Sequence, residues 1–147
     1  MSILSWLKRA VAGEPQAPIE FKDDEKQLGS LDMKGAIDAH MAWKTRLQAQ
    51  IAGESDETLE VAAVASDRNC ALGKWIFGEA RQGYGWMEEY ATLRDAHARF
   101  HACAGAILKD AQKGAKDAAE QALKGDLRRN SEAVQLALVR LYAKVRG

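Results

Sequence analysis

The sequence predicts an all-α protein: an antiparallel four-helix bundle with a short Cys-bearing helix and an N-terminal arm. Three observations lead there. Apolar residues recur at helical spacing over three long segments. Ser, Asp and Gly residues stand where those segments start and stop. No segment alternates as a half-buried strand would, and no internal repeat is present. With 147 residues, 47% hydrophobic and 29% charged, the chain is long enough for one compact domain with a real core.

Residues 1–26 read as the arm. Ile3, Leu4, Trp6, Leu7 and Val11 line one face of a short amphipathic helix that Gly13 and Pro15 end, with Pro18 and a charged stretch beyond. Such an arm is either loosely docked or a helix for a partner. The bundle is expected over residues 27–147. Its first long helix runs from a Ser30 cap to about Ala52, with Gly53 as stop. Met33, Ile37, Met41, Leu47 and Ile51 are its apolar positions, with His40 and Trp43 among them. Residues 59–65 carry no readable period. A short helix is expected from Ser66 or Asp67 to Gly78. The Gly83-Tyr84-Gly85 turn leads into a third helix, from Trp86 to about Lys113, with an inward stripe of Trp86, Tyr90, Leu93, His97, His101, Ala104 and Leu108. The last helix spans roughly Ala115–Lys144. Leu123, Leu127, Val134, Leu138, Leu141 and Val145 keep near-heptad spacing there, although Gly125 costs about 1 kcal/mol of helix propensity.

Lys and Arg total 21, Asp and Glu total 21, and that balance argues against a nucleic-acid binder. No apolar run approaches the roughly 20 residues of a membrane span. The N-terminus places Lys8 and Arg9 after its apolar residues, unlike a signal peptide, so a cytoplasmic location is expected. Two cysteines, Cys70 and Cys103, are too few for a disulfide framework.

The chemistry lies in the three histidines. On a helix each residue turns by about 100°, so His101 falls about 40° from His97 and both share a face with Tyr90, Ala104 and Leu108. His40 shares its face with Met33, Leu47 and Ile51. Three imidazoles in apolar stripes need three sets of hydrogen-bond partners, or one shared cation. A histidine pair at i, i+4 suits a single metal. A tetrahedral zinc then takes a fourth ligand. Cys70 stands at the start of the short helix, where the positive end of the helix dipole favours a thiolate. Cys103 lies about 160° from His101 around the helix and so points away. Asp67 is either a helix cap or an acceptor that orients a ligand imidazole. Trp43 and Trp75 are core residues or close neighbours of the site.

His40-Met41-Ala42-Trp43, then Cys70-Ala71-Leu72-Gly73-Lys74-Trp75 with Gly78, then His97-Ala98-Arg99-Phe100-His101 resemble, in order and spacing, the HxxW, CxLGxW…G and HxxxH motifs of the bacterial chemoreceptor zinc-binding (CZB) domain. The resemblance covers about residues 30–112. It implies a four-helix bundle binding one Zn(II) through His40, Cys70, His97 and His101, commonly as a homodimer. It also implies control of chemotaxis or of cyclic-di-GMP synthesis. No receptor or cyclase segment is apparent in these 147 residues, so the output is expected in trans, through a chemoreceptor or diguanylate cyclase system. The leading expectation is a non-catalytic zinc-binding sensory or regulatory module, with the Cys70 thiolate as redox switch. The alternatives are a structural zinc interaction module and a zinc hydrolase with an open coordination position. A di-iron bundle is disfavoured by the lack of inward carboxylates.

Overall fold

The computed structural model describes residues 3–12, 19 and 21–147. Gly13, Pro15 and Pro18, expected to end the first helix, lie outside the described residues, as do the side chains of Leu4 and Val11. Eight α-helices follow one another in the described residues: α1 (Ile3–Val11), α2 (Met33–Ala52), α3 (Val61–Ala65), α4 (Ala71–Phe77), α5 (Glu79–Tyr84), α6 (Glu88–Gln112), α7 (Lys116–Ala122) and α8 (Arg128–Arg146). A minimal hairpin, β1 (Gln27–Leu28) and β2 (Leu31–Asp32), precedes α2. The protein is an all-α bundle. Its long members are α2, α6 and the α7–α8 rod, and the short helices close its open side.

α6 is the central rod, touching α2, α3, α7 and α8. Its inward face, Tyr90, Leu93, His97, Phe100, His101, Ala104 and Leu108, is buried as the 3.6-residue period requires. Glu88 and Glu89 in its first turn and Lys109 in its last oppose the helix dipole. Trp86 departs from expectation. It precedes the helix, whose cap is Met87, and is 83% exposed. Met41 is likewise out at 49%.

Helix α2 is capped by Asp32, whose carboxylate accepts from the Gly35 amide at 3.0 Å, and not by Ser30. Gly53 stops it in the left-handed conformation, φ 73°. Ser30 belongs instead to the hairpin turn, where β1 and β2 pair antiparallel with Leu28 opposite Leu31. Gly29 supplies the positive φ of that turn, and a Cβ there would strike the Glu79 carboxylate. Glu79 in turn accepts from the Ser30 amide and hydroxyl, which ties the hairpin to the start of α5.

The expected last helix contains a wide turn at Leu123–Leu127, around Gly125, that divides α7 from α8. Leu123 and Leu127 stay buried through it, as do Val134, Leu138 and Leu141 beyond. One insertion in the hydrogen-bond ladder thus re-aims the rod without turning its apolar face outward.

The N-terminal segment is no loose arm in its described part. α1 packs on α8, with Ile3 0% and Trp6 2% exposed. The buried Glu25 carboxylate accepts from the amides of Ile3 at 3.4 Å and Lys22 at 3.1 Å, meeting the positive end of α1. Among the described residues no helix is long and apolar enough to cross a membrane.

Docking of α1 within the chain has a measurable consequence. Trp6→Ala should lower unfolding free energy by about 3–5 kcal/mol, the usual loss for a buried aromatic. Urea denaturation reads this directly. A change within about 0.5 kcal/mol, typical of a surface site, would mean the helix does not contribute to the core.

Candidate metal centre

Two elements of regular helix and one helix start bring four donors to one point. His97 and His101 come from successive turns of α6, His40 comes from the middle of α2, and Cys70 is the N-cap of α4. The four side chains offer ligand atoms that all lie within 4.8 Å of one another. His97 is 0%, His101 3% and His40 5% exposed, and Cys70 is half-buried.

Four of the six donor separations are close to those of a coordination tetrahedron, and the other two are under 4.8 Å. Zinc at about 2.0–2.1 Å from nitrogen and about 2.3 Å from sulfur separates its donors by roughly 3.4 Å between nitrogens and roughly 3.6 Å between sulfur and nitrogen. Cys70 Sγ lies 3.7 Å from His40 Nε2, 3.2 Å from His97 Nε2 and 3.6 Å from His101 Nε2. His97 Nε2 lies 3.1 Å from His40 Nε2.

Main-chain carbonyls aim two of the rings. His40 Nδ1 donates to the Ala36 carbonyl at 2.8 Å, one turn back on α2. His101 Nδ1 donates to the Val64 carbonyl of α3 at 2.9 Å. A neutral imidazole with its proton on Nδ1 presents a lone pair at Nε2. Two such lone pairs therefore point into one buried group of donors, beside a thiol and a third imidazole. His97 Nδ1 is buried without a partner among the described residues, as is Trp75 Nε1. Phe100 stands edge-on to His40 and His101 at 5.2 and 5.4 Å, walling the site.

The electrostatics agree. Burial holds His40 down at about 4 and His97 at about 3, both helped by neighbouring imidazoles, and burial lowers His101 as well. All three are neutral at pH 7, the form that binds metal. Cys70 moves the other way. Burial pushes its thiol up, against the amides of Gly73 and Leu72 that favour the thiolate. The helix start alone therefore does not hold a thiolate here; a cation at the focus of the four donors would favour one.

Two glycines make this packing attainable. At Gly73 a Cβ would sit 1.9 Å from the Asp67 carbonyl oxygen, so the loop before Cys70 lies directly on α4. At Gly105 a Cβ would sit 2.6 Å from Ala65 Cβ, so α3 lies directly on α6 and places Val64 over His101. The segment 59–65, without a readable period in the sequence, thus supplies a supporting group of the site. Its detectable trace was Gly105, a residue without a side chain inside an otherwise well-packed helix stripe.

The remaining expected residues are placed differently. α4 is capped by Cys70, whose Sγ accepts from the Gly73 amide at 3.3 Å, and not by Ser66 or Asp67. Asp67 acts on the site through its charge, which opposes the burial that lowers His101 and adds to the burial that raises Cys70. Trp75 is buried in α4 near Tyr84. Trp43 is half-buried and carries the Arg46 guanidinium 3.9 Å above its ring. Cys103 hydrogen-bonds Asn130 of α8 and stands outside the four-donor group.

The sequence model of a family described as the chemoreceptor zinc-binding domain matches residues 40–108, a span bounded by the first histidine and the end of the buried α6 stripe. No curated protein and no solved structure matches the chain.

Each chain should bind one zinc without help from a second copy, because α2, α4 and α6 of one protomer supply all four donors. Elemental analysis should find a ratio near one, lost in a His97→Ala plus His101→Ala variant and kept in Cys103→Ala. Near pH 7, uptake should release about one proton, from Cys70, since the imidazoles start neutral. Calorimetry in buffers of different ionisation enthalpy measures this, and two or more protons would contradict the assigned charge states. In metal-free protein the depressed imidazoles bind fewer protons folded than unfolded, so stability should fall as pH drops from about 6.5 toward 4. His97→Leu should flatten that slope in denaturation midpoints.

Proposed function

Given that residues 40–108 form a chemoreceptor zinc-binding domain, we propose that this chain is a non-catalytic zinc-responsive regulatory module of bacterial signalling. Its Zn(II) would be held by His40, Cys70, His97 and His101. The observation that carries this reading is the convergence of three buried Nε2 atoms and one Sγ at tetrahedral spacing. Four protein donors close a tetrahedral zinc, which leaves no position for an activated water or substrate. That favours regulation or structure over hydrolysis.

The mobile element in this reading is α4. Cys70 ties it to the histidines of α2 and α6, and it is only seven residues long. Oxidation of the thiolate by hypochlorous acid forms an S–O bond, gives the sulfenic acid and releases chloride. A sulfenic sulfur is a poorer zinc ligand, so three histidines retain the metal more weakly and α4 is released. Asp67 adds to the effect, since its negative charge opposes the thiolate. The module would act as a homodimer and pass its signal in trans to a chemoreceptor or diguanylate cyclase system. Chemotaxis and cyclic-di-GMP control are the outputs that its family suggests.

Zinc-loaded protein treated with one equivalent of hypochlorous acid should release zinc to a chromogenic chelator. Amide exchange over residues 70–77 should rise while that of α8 stays unchanged. If no more zinc leaves than from an untreated control and Cys70 stays reduced by mass spectrometry, the site is a structural staple and the switch is wrong.

A further inference from the structure

Where the loop before Cys70 meets α4, α5 and α6, three arginines surround a cavity of about 400 Å³ lined by Arg68, Phe77, Arg81, Gly85, Tyr90 and Arg94. We propose that this cavity is a binding site for a phosphate-bearing small molecule. Its lining contains three guanidiniums and no carboxylate. Arg68 and Arg81 have no ion-pair partner among the described residues. Arg94 donates through Nε to the neighbouring Asp95 at 3.0 Å, which leaves its terminal amino groups for a second acceptor.

Two of the three arginines, Arg68 and Arg94, rest on aromatic rings before any ligand arrives. The Arg68 guanidinium lies 3.9 Å over the Phe77 ring, and Arg94 lies 6.0 Å over Tyr90. Tyr90 is itself fixed, because its hydroxyl donates to the Ile76 carbonyl at 2.8 Å. Stacked guanidiniums keep their planar donor forks free, and those forks match a phosphate oxygen pair. Three like charges gathered around one cavity repel each other, and a dianion removes that repulsion.

The site spans the loop before Cys70 (Arg68), the end of α4 (Phe77), α5 (Arg81) and α6 (Tyr90, Arg94). A bound anion therefore links the short helices to the central rod. Its existence does not depend on the zinc reading.

Calorimetric titration of the full chain at constant ionic strength tests this with inorganic phosphate, adenosine monophosphate and adenosine. Inorganic phosphate, the monophosphate or both should bind at one per chain, and adenosine should not. If the monophosphate binds more tightly than inorganic phosphate, the site also holds the group that carries the phosphate; equal affinities assign it to the phosphate group alone. Arg68→Gln plus Arg81→Gln should weaken binding by about tenfold or more, with helicity unchanged by circular dichroism. Lys44→Gln plus Arg128→Gln, two cations elsewhere on the surface, should leave it as in wild type. The proposal is overturned if neither phosphate compound binds at millimolar concentration, if adenosine binds equally well, or if the arginine variant binds like wild type.

Discussion

The arrangement depends on one constraint: His40 and His101 each donate Nδ1 to a main-chain carbonyl, and so turn unprotonated Nε2 atoms into the same four-donor group. Unshared lone pairs gathered within 4.8 Å of one another repel. A divalent cation converts the repulsion into four bonds. The neighbouring structure serves that geometry. Ala36 belongs to the same helix as His40, one turn earlier, so the first carbonyl comes with the helix. Val64 lies 37 residues before His101, and α3 exists at that position because Gly105 lets it approach.

The contrast explains what was legible in the sequence. Helical periodicity places His97 and His101 on one face whatever the neighbours do, and the same holds for His40 among Met33, Leu47 and Ile51. Those assignments used only angles, and the packing agrees with them. The position of α3 depends on a contact 40 residues distant, between Ala65 and Gly105, and no local pattern encodes that. Caps failed for a related reason. Ser30, Asp32, Ser66, Asp67 and Cys70 are all competent acceptors at a helix start, and the tertiary fold decides among them. Ser30 is drawn to Glu79, and the carbonyl of Asp67 is pressed on Gly73. Trp86 was misplaced by two residues of helix boundary, which was enough to turn an expected core aromatic outward.

The two ends of the site differ in mechanical character. His40, His97 and His101 ride on helices of 20 and 25 residues, buried along their lengths. Cys70 rides on a helix of seven, too short to persist by its own hydrogen bonds. What holds α4 otherwise is the burial of Leu72, Trp75 and Ile76, each worth about 1.5–3 kcal/mol, and the close seat of Gly73 beneath the Asp67 carbonyl. In the proposed switch these contacts would keep α4 associated with the core while its first turn is released with the sulfur.

It follows that loss of the sulfur ligand would shift α4 without melting it, and the direction of the shift is constrained. The C-terminal end of α4 meets α5 at Gly78, and α5 is clamped to the hairpin through Glu79 and Ser30. Trp75 and Ile76 anchor the same end in the core, at 5% and 0% exposure. The free end is therefore the N-terminal one, where Arg68 and Asn69 are already exposed and where the Asn69 side chain reaches only the Ala63 carbonyl at 3.3 Å. Movement there pivots about Gly78 and draws the loop 66–69 outward from α3. Because Ala63 and Val64 are neighbours, that loop and His101 share a support, so displacement at Cys70 also loosens the carbonyl that aims His101. Ligand loss at one donor would in this way weaken a second, which makes the transition steeper than the removal of a single bond.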